Sequence, residues 1–215
     1  NIFVLMPLFF SGRVTLTLFA QVLAGTIAFC LLSSAIYIFN DLRDVEEDRL
    51  HLKKRSRPLA SGRISPAAAS ALGVALLAAI TAITIAANLP LQVFPVYAAY
   101  AGINIAYSVG IRHVPVLELF FVASGYVLRL MAGSIIDGEA LSPWIVSCTG
   151  LVSLMLVVGK RRADIANALD ETGGRRSLAH YSVGYLDQLT TVLACATLVT
   201  YLLFCLSDYA MQRFG

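Results

Sequence analysis

The chain has 215 residues, of which 58% are hydrophobic and only 13% charged, with a formal net charge of +3 and a mean hydropathy of +0.77. A soluble domain carries roughly 25% charged residues, so this composition excludes an ordinary water-soluble fold and points to a polytopic membrane protein. Cys30, Cys148, Cys195 and Cys205 all fall in apolar runs without metal-ligand spacing, which excludes a cysteine metal centre and predicts reduced, packed thiols.

Apolar segments run over about 1–10, 14–39, 64–89, 91–109, 114–136, 142–159 and 188–207. A helix needs roughly 20 residues to cross the hydrocarbon. The first segment is short and contains Pro7, and the chain opens at Asn1; an earlier stretch is expected to be missing, and no leader is read. The fourth is short and flanked by Pro90 and Pro95. The other five are expected to span. The runs are continuous rather than alternating, so strands are not expected. The predicted fold is all-α, a transmembrane helical bundle, with one domain over 1–215. Gly25, Gly73, Gly102 and Gly133 are expected at close helix contacts.

Two polar loops, 40–63 and 160–187, fall on one side of such a bundle together with the Arg112-His113 turn. Every Lys and Arg except Arg13, Arg129 and Arg213 lies in these loops. The positive-inside rule places them in the cytoplasm. A weak echo relates 14–63 to 142–187, so the two loops are expected to frame one cavity.

The first loop opens with Asn40-Asp41-Leu42-Arg43-Asp44-Val45-Glu46-Glu47-Asp48. Asp41, Asp44 and Asp48 are spaced i, i+3, i+7 and fall on one face of a helix. Bare carboxylates there repel each other unless a cation sits among them. Magnesium prefers one or two carboxylates completed by phosphate oxygens and water. Basic residues follow at once: Arg49, Lys53, Lys54, Arg55, Arg57 and Arg63. Acids for a divalent ion beside bases for phosphate predict a magnesium–diphosphate site, with Lys54 and Arg57 as phosphate contacts. The plainer alternatives are a solvated helix cap and lipid-anchoring charges. Arg57-Pro58 and Ser61-Gly62 favour a held loop.

In the second loop bases dominate: Lys160, Arg161 and Arg162, then Asp164, Asp170-Glu171 and Arg175-Arg176. This reads as a basic clamp for another phosphate. Arg129 lies mid-segment, where a charge must be paired or face a wet cavity; contact with a substrate phosphate is expected. Glu118 is about three turns away on the same segment, too far to pair with it. Asp187, which opens the last segment, is expected to cap it. His51, His113 and His180 have no metal spacing.

Asn40-Asp41-x-x-Asp44-x-x-x-Asp48 followed by Arg57-Pro58-Leu59-Ala60-Ser61-Gly62 resembles the first aspartate-rich motif and loop of the UbiA superfamily of intramembrane prenyltransferases. The resemblance implies an all-helical bundle, normally of nine spans, around a cavity open to the membrane; about seven of those spans are represented here, and the last two are expected to be absent. Most members carry a second aspartate-rich motif, where this chain has Gly159-Lys160-Arg161-Arg162-Ala163-Asp164. His51-x-Lys53-Lys54-Arg55-x-Arg57-Pro58, with Gly159-Lys160-Arg161 and Tyr181, is similar to the decaprenyl-phosphate phosphoribosyltransferase branch, although Leu52 stands where that branch usually has proline.

That resemblance implies Mg2+-dependent transfer of 5-phosphoribose from phosphoribosyl diphosphate to a polyprenyl (decaprenyl) phosphate, releasing diphosphate, for cell-wall arabinan (arabinogalactan) precursors. It implies Asp41, Asp44 and Asp48 as metal-binding and catalytic residues. Asn40, Lys54, Arg57, Tyr107, Arg112, Arg129, Lys160, Arg161 and Asp164 are the implied substrate-binding residues. Asp164 is expected to position Lys160 at i, i+4 or to accept a ribose hydroxyl. The location implied is the plasma membrane, with the site on the cytoplasmic side. The partners are the two phosphorylated substrates and lipid, with no nucleic acid; a homo-oligomer is allowed. The runner-up is an ordinary UbiA-type prenyltransferase joining a prenyl diphosphate to an aromatic or other small acceptor. A secondary transporter is disfavoured, because the aspartates cluster at the surface and the segments hold only Glu118 and Arg129 as charges.

Overall fold

The computed structural model describes residues 1–12, 14–52, 54–168 and 181–214. Arg13, Lys53, Asp170, Glu171, Arg175, Arg176 and His180, named above, lie outside the described residues. Every regular element among the described residues is helical: α1 (Met6–Ser11), α2 (Leu16–Arg43), α3 (Val45–Leu50), α4 (Pro66–Ala86), α5 (Val93–Val109), α6 (Leu117–Asp137), α7 (Pro143–Ala168), α8 (Val183–Cys205) and α9 (Asp208–Phe214), with short 3-10 turns between some of them.

Five helices are long and apolar enough to cross a membrane: α2, α4, α6, α7 as far as Ala166, and α8. These are the five expected spans. The segments at 1–10 and 91–109 form shorter helices. Helix starts follow local chemistry. The side chains of Thr15, Ser65 and Ser182 accept hydrogen bonds from the amides of Leu18, Ala68 and Tyr185, and Pro66 occupies the first turn of α4. Asp187 does not cap α8; Ser182 does.

Helix ends depart from the expectation. α2 runs through Asn40 and Asp41 to Arg43, and α7 runs through Lys160, Arg161 and Asp164 to Ala168. Hydrocarbon thickness limits the apolar run but not the helix, and Lys, Arg and Ala propagate a helix well into the polar layer. These site residues are therefore helical rather than on loops.

The chain divides into two compact units, residues 1–105 with 131–139, and residues 106–130 with 140–215. In the first, α2 packs along α4. Phe29 is fully buried and meets the edges of Tyr97 and Tyr100 at ring distances of 5.7 and 4.7 Å. Lipid tails are as apolar as these side chains, so the gain here is close packing rather than removal from water. Gly133 illustrates it: a Cβ there would lie 2.1 Å from the Val4 carbonyl oxygen. Gly25 likewise sits against Ile136, whereas a Cβ at Gly73 would make only ordinary contact with Ile38 of α2 and one at Gly102 would meet nothing within 4 Å among the described residues.

In the second unit α7 packs along α8 over a core of Leu119, Ala123, Val157, Val158, Tyr181, Leu186 and Leu193. Leu198, Val199, Leu202 and Leu203 of α8 remain exposed, as a face meeting hydrocarbon requires.

Candidate active site

In the first unit α2 carries Asn40 and Asp41 into its last turn. Asp44 then interrupts the helix with φ −92° and ψ 10°, its amide donating to the Asn40 carbonyl at 2.9 Å. α3 restarts at once, and its Asp48 is turned inward at 2% exposure. Glu46 stays exposed and pairs with Arg49 at 2.8 Å, as a solvated bystander would.

The basic stretch folds back over α3. A 3-10 turn covers Lys54–Ser56. The Ser61 amide donates to the Arg57 carbonyl at 2.9 Å, and the Ile64 amide to the Pro58 carbonyl at 3.1 Å. Gly62 supplies the left-handed turn residue, φ 75°. Leu59 and Ala60 are buried beneath, so this is a held loop.

One nitrogen closes the arrangement. Arg57 Nη1 donates to Asp41 Oδ1 and to Asp48 Oδ2, each at 2.8 Å. Lys54 Nζ lies 3.4 Å from Asp48 Oδ1. Both oxygens of the buried carboxylate therefore face a cation, which compensates the cost of withdrawing it from water.

The expected trio of carboxylates is not gathered as such. Among the described residues no group of three His, Cys, Asp or Glu side chains is arranged to hold a metal ion. The helix break at Asp44 is the physical reason, because the i, i+3, i+7 face presumed a continuous helix. Asp41 and Asp48 still converge, through Arg57.

The second unit has its own charged cluster. Tyr107 comes from α5, Glu118 from the first turn of α6, and Arg161 and Asp164 from α7. Arg161 forks onto Glu118, Nε to Oε1 at 2.8 Å and Nη2 to Oε2 at 2.5 Å. It also donates to Tyr107 Oη at 3.1 Å and Asp164 Oδ2 at 3.2 Å. The Arg161 side chain is 8% exposed and that of Glu118 1%. This bidentate pair uses nearly all the guanidinium donors, so Arg161 braces Tyr107 and Asp164 rather than reaching out. Asp164 pairs with Arg161, not with Lys160 as expected. Lys160 is exposed and forms no ion pair among the described residues.

Nearby, the Tyr181 hydroxyl accepts the Val116 amide at 2.6 Å and so holds Val116 at φ 67°, a strained value for a β-branched residue. Burial pushes the Tyr181 hydroxyl above its ordinary pKa. Arg162 of α7 pairs with Asp187 of α8. Arg112 Nε donates to His113 Nε2 at 3.1 Å. Arg129 donates to the Gly125 carbonyl one turn back at 2.7 Å and lies 5.8 Å from the Tyr126 ring centroid.

Sequence reasoning missed the Glu118–Arg161 pair. The signal was present: a carboxylate inside a span requires a cation, and only Arg129 was weighed as its partner.

Helices of this length and hydropathy, ending in an acid loop clasped by bases, define a multi-pass helical protein with a polar centre at the membrane surface. The chain belongs to the UbiA prenyltransferase family, whose family model matches residues 2–212. It is 37% identical over 180 residues, 83% of this chain, to the decaprenyl-phosphate phosphoribosyltransferase of Corynebacterium glutamicum, covering 54% of that protein. It is 37% identical over 190 residues, 87% of this chain, to the enzyme of the same name from Mycolicibacterium smegmatis, covering 59% of it. The chain thus spans a little over half the length of these curated relatives. A solved UbiA homolog from Archaeoglobus fulgidus, bound to DMAPP and Mg2+, superposes with a TM-score of 0.71 at 20% identity, over 91% of this chain and 69% of that one; this likeness supports the fold.

Proposed function

We propose that this protein transfers 5-phosphoribose from phosphoribosyl diphosphate to a polyprenyl phosphate, decaprenyl phosphate by analogy with its relatives, releasing diphosphate. The observation that carries the reading is the cluster at Asp48. Carboxylates suited to a divalent ion share one place with a guanidinium and an ammonium suited to phosphate. The relatives' names supply the substrate class.

The cluster fits Mg2+. Two hard carboxylates already converge on a single cationic nitrogen, and Mg2+ takes one or two carboxylates with phosphate oxygens and water completing its shell. Asp41 and Asp48 would hold it, with Asp44 adding charge from the helix break. When bound, it would neutralise charge developing on the departing diphosphate.

The chain's own residues do the rest by position and charge. In the first unit Lys54 and Arg57 bind phosphate oxygens, and Asn40 contributes an amide at the end of α2; in the second unit Arg112, Arg129 and Lys160 are each phosphate contacts. Tyr107 and Asp164, fixed by Arg161, accept and donate to ribose hydroxyls. The lipid phosphate is already an anionic nucleophile, so no strong general base is required. The site works at the cytoplasmic face of the plasma membrane, and its product feeds cell-wall arabinan.

A second reading, prenyl transfer to a small acceptor, is favoured by the fold neighbour bound to DMAPP and Mg2+. One assay separates them: purified protein with Mg2+, labelled phosphoribosyl diphosphate and decaprenyl phosphate. Label entering the lipid is expected. Consumption of a prenyl diphosphate with an aromatic acceptor, and no labelled lipid, would establish the second reading. Asp41→Ala or Asp48→Asn should lower turnover by about 100-fold or more, the scale of losing preorganised charge stabilisation; near-normal turnover at ordinary Mg2+ would remove the metal assignment.

A further inference from the structure

Arg57 stands between the two carboxylates that would hold the metal ion. Its Nη1 is 2.8 Å from an oxygen of Asp41 and 2.8 Å from an oxygen of Asp48. Another cation held by both carboxylates would have to displace this nitrogen. Lys54 covers the other oxygen of Asp48. Two acids and two bases thus meet here among the described residues, so a divalent ion arriving alone finds the two carboxylates already answered by cations.

The two sides of the clasp differ in freedom. The Asp48 side chain is 3% exposed, whereas that of Arg57 is 41% exposed. Arg57 can swing outward; Asp48 cannot reach water. A buried carboxylate left bare is strongly unfavourable, so Arg57 does not depart until another cation replaces it. A diphosphate offers the guanidinium a bidentate acceptor and offers the ammonium a point-charge partner, which draws both bases off the carboxylates.

From this we infer that Arg57 makes metal capture conditional on diphosphate. It acts as a resident cation that excludes a bare divalent ion and exchanges its carboxylates for phosphate oxygens when the metal and the diphosphate enter together. The inference rests on the reading of Asp41 and Asp48 as the metal-holding pair. In energetic terms the metal and the diphosphate are positively coupled, and Arg57 carries the coupling.

The test is equilibrium dialysis of the purified protein in detergent with Mn2+, inorganic diphosphate, or both, scoring retention of each; turnover is not involved. The wild-type protein should retain Mn2+ at least about tenfold more tightly with diphosphate present than without it, within the usual range of site–site coupling. Arg57→Gln should retain Mn2+ alone about tenfold more tightly than wild type does, with the diphosphate dependence reduced to the same extent. Arg57→Lys, which keeps the charge, should restore the wild-type dependence in part. Wild type and Arg57→Gln binding Mn2+ equally well, with or without diphosphate, would overturn the inference while leaving the metal assignment intact. Mn2+ retained by no form under any condition would overturn the metal assignment and the inference with it. Should Arg57→Gln prove unfolded by gel filtration, Arg57→Met makes the same comparison: loss of the charge should again tighten retention of Mn2+ alone, and unchanged retention would overturn the inference.

Discussion

Glu118 and Arg161 give the sharpest quantitative expectation. Replacing Glu118 by alanine leaves the Arg161 guanidinium, 8% exposed, with Tyr107 and Asp164 as its remaining partners among the described residues. Breaking a buried pair by removing one member costs about 3–5 kcal/mol. Asp164 retains part of the compensation, so the lower end, about 3 kcal/mol, applies. For a chain of this size each kcal/mol moves the melting temperature by about 2–4 °C, which predicts a fall of about 6–12 °C in detergent. Fluorescence of Trp144, the chain's one tryptophan, reports the melt from the start of α7. The decisive comparison is the double variant Glu118→Met with Arg161→Met. Apolar replacements of similar volume leave no unpaired charge, so the double variant should melt within about 1 kcal/mol of wild type. A single variant melting within about 2 °C of wild type, or a double variant melting below either single one, would refute the reasoning.

Tyr181→Phe removes the acceptor that holds the Val116 amide and should cost about 1 kcal/mol in the same melt near neutral pH. Because burial raises the folded-state pKa of Tyr181, its contribution is present in full below the unfolded value of about 10 and fades as pH rises through the higher folded value. The difference between wild type and Tyr181→Phe should therefore hold steady up to about pH 10 and narrow as pH rises further; a gap that widens would contradict the buried, neutral phenol. Gly133→Val places a Cβ against the Val4 carbonyl, 2.1 Å away before any shift, and should cost about 1–3 kcal/mol as overpacking. Unchanged melting would show that the start of the chain does not rest on α6 in the folded protein.

How much of this was legible in the sequence depends on which physical constraint acts on each residue. The spans were legible because bilayer thickness imposes a length that apolar runs must match; all five spans long enough to cross appear where hydropathy placed them. Their ends were not, because nothing in that constraint stops a helix in water, and α7 keeps turning past Lys160 on residues that favour helix. The acid motif was legible as a demand for positive charge, since carboxylates at that spacing repel. Which cation answers the demand was not, because Arg57 reaches back across the turn held by Gly62 and the buried Leu59 and Ala60, a geometry set by packing. Glu118 follows the same logic over a longer range. Its burial required a base, yet its partner lies 43 residues away on another helix, and no periodicity within one segment can reveal that. Arg129, the base within reach of a same-segment argument, instead donates to the Gly125 carbonyl and lies over the Tyr126 ring. A buried charge thus tells the reader that a counter-charge exists, while tertiary packing alone chooses it. In this chain that choice turns Arg161 from an expected phosphate ligand into the brace for Tyr107 and Asp164, while Lys160, one residue earlier on α7, stays exposed.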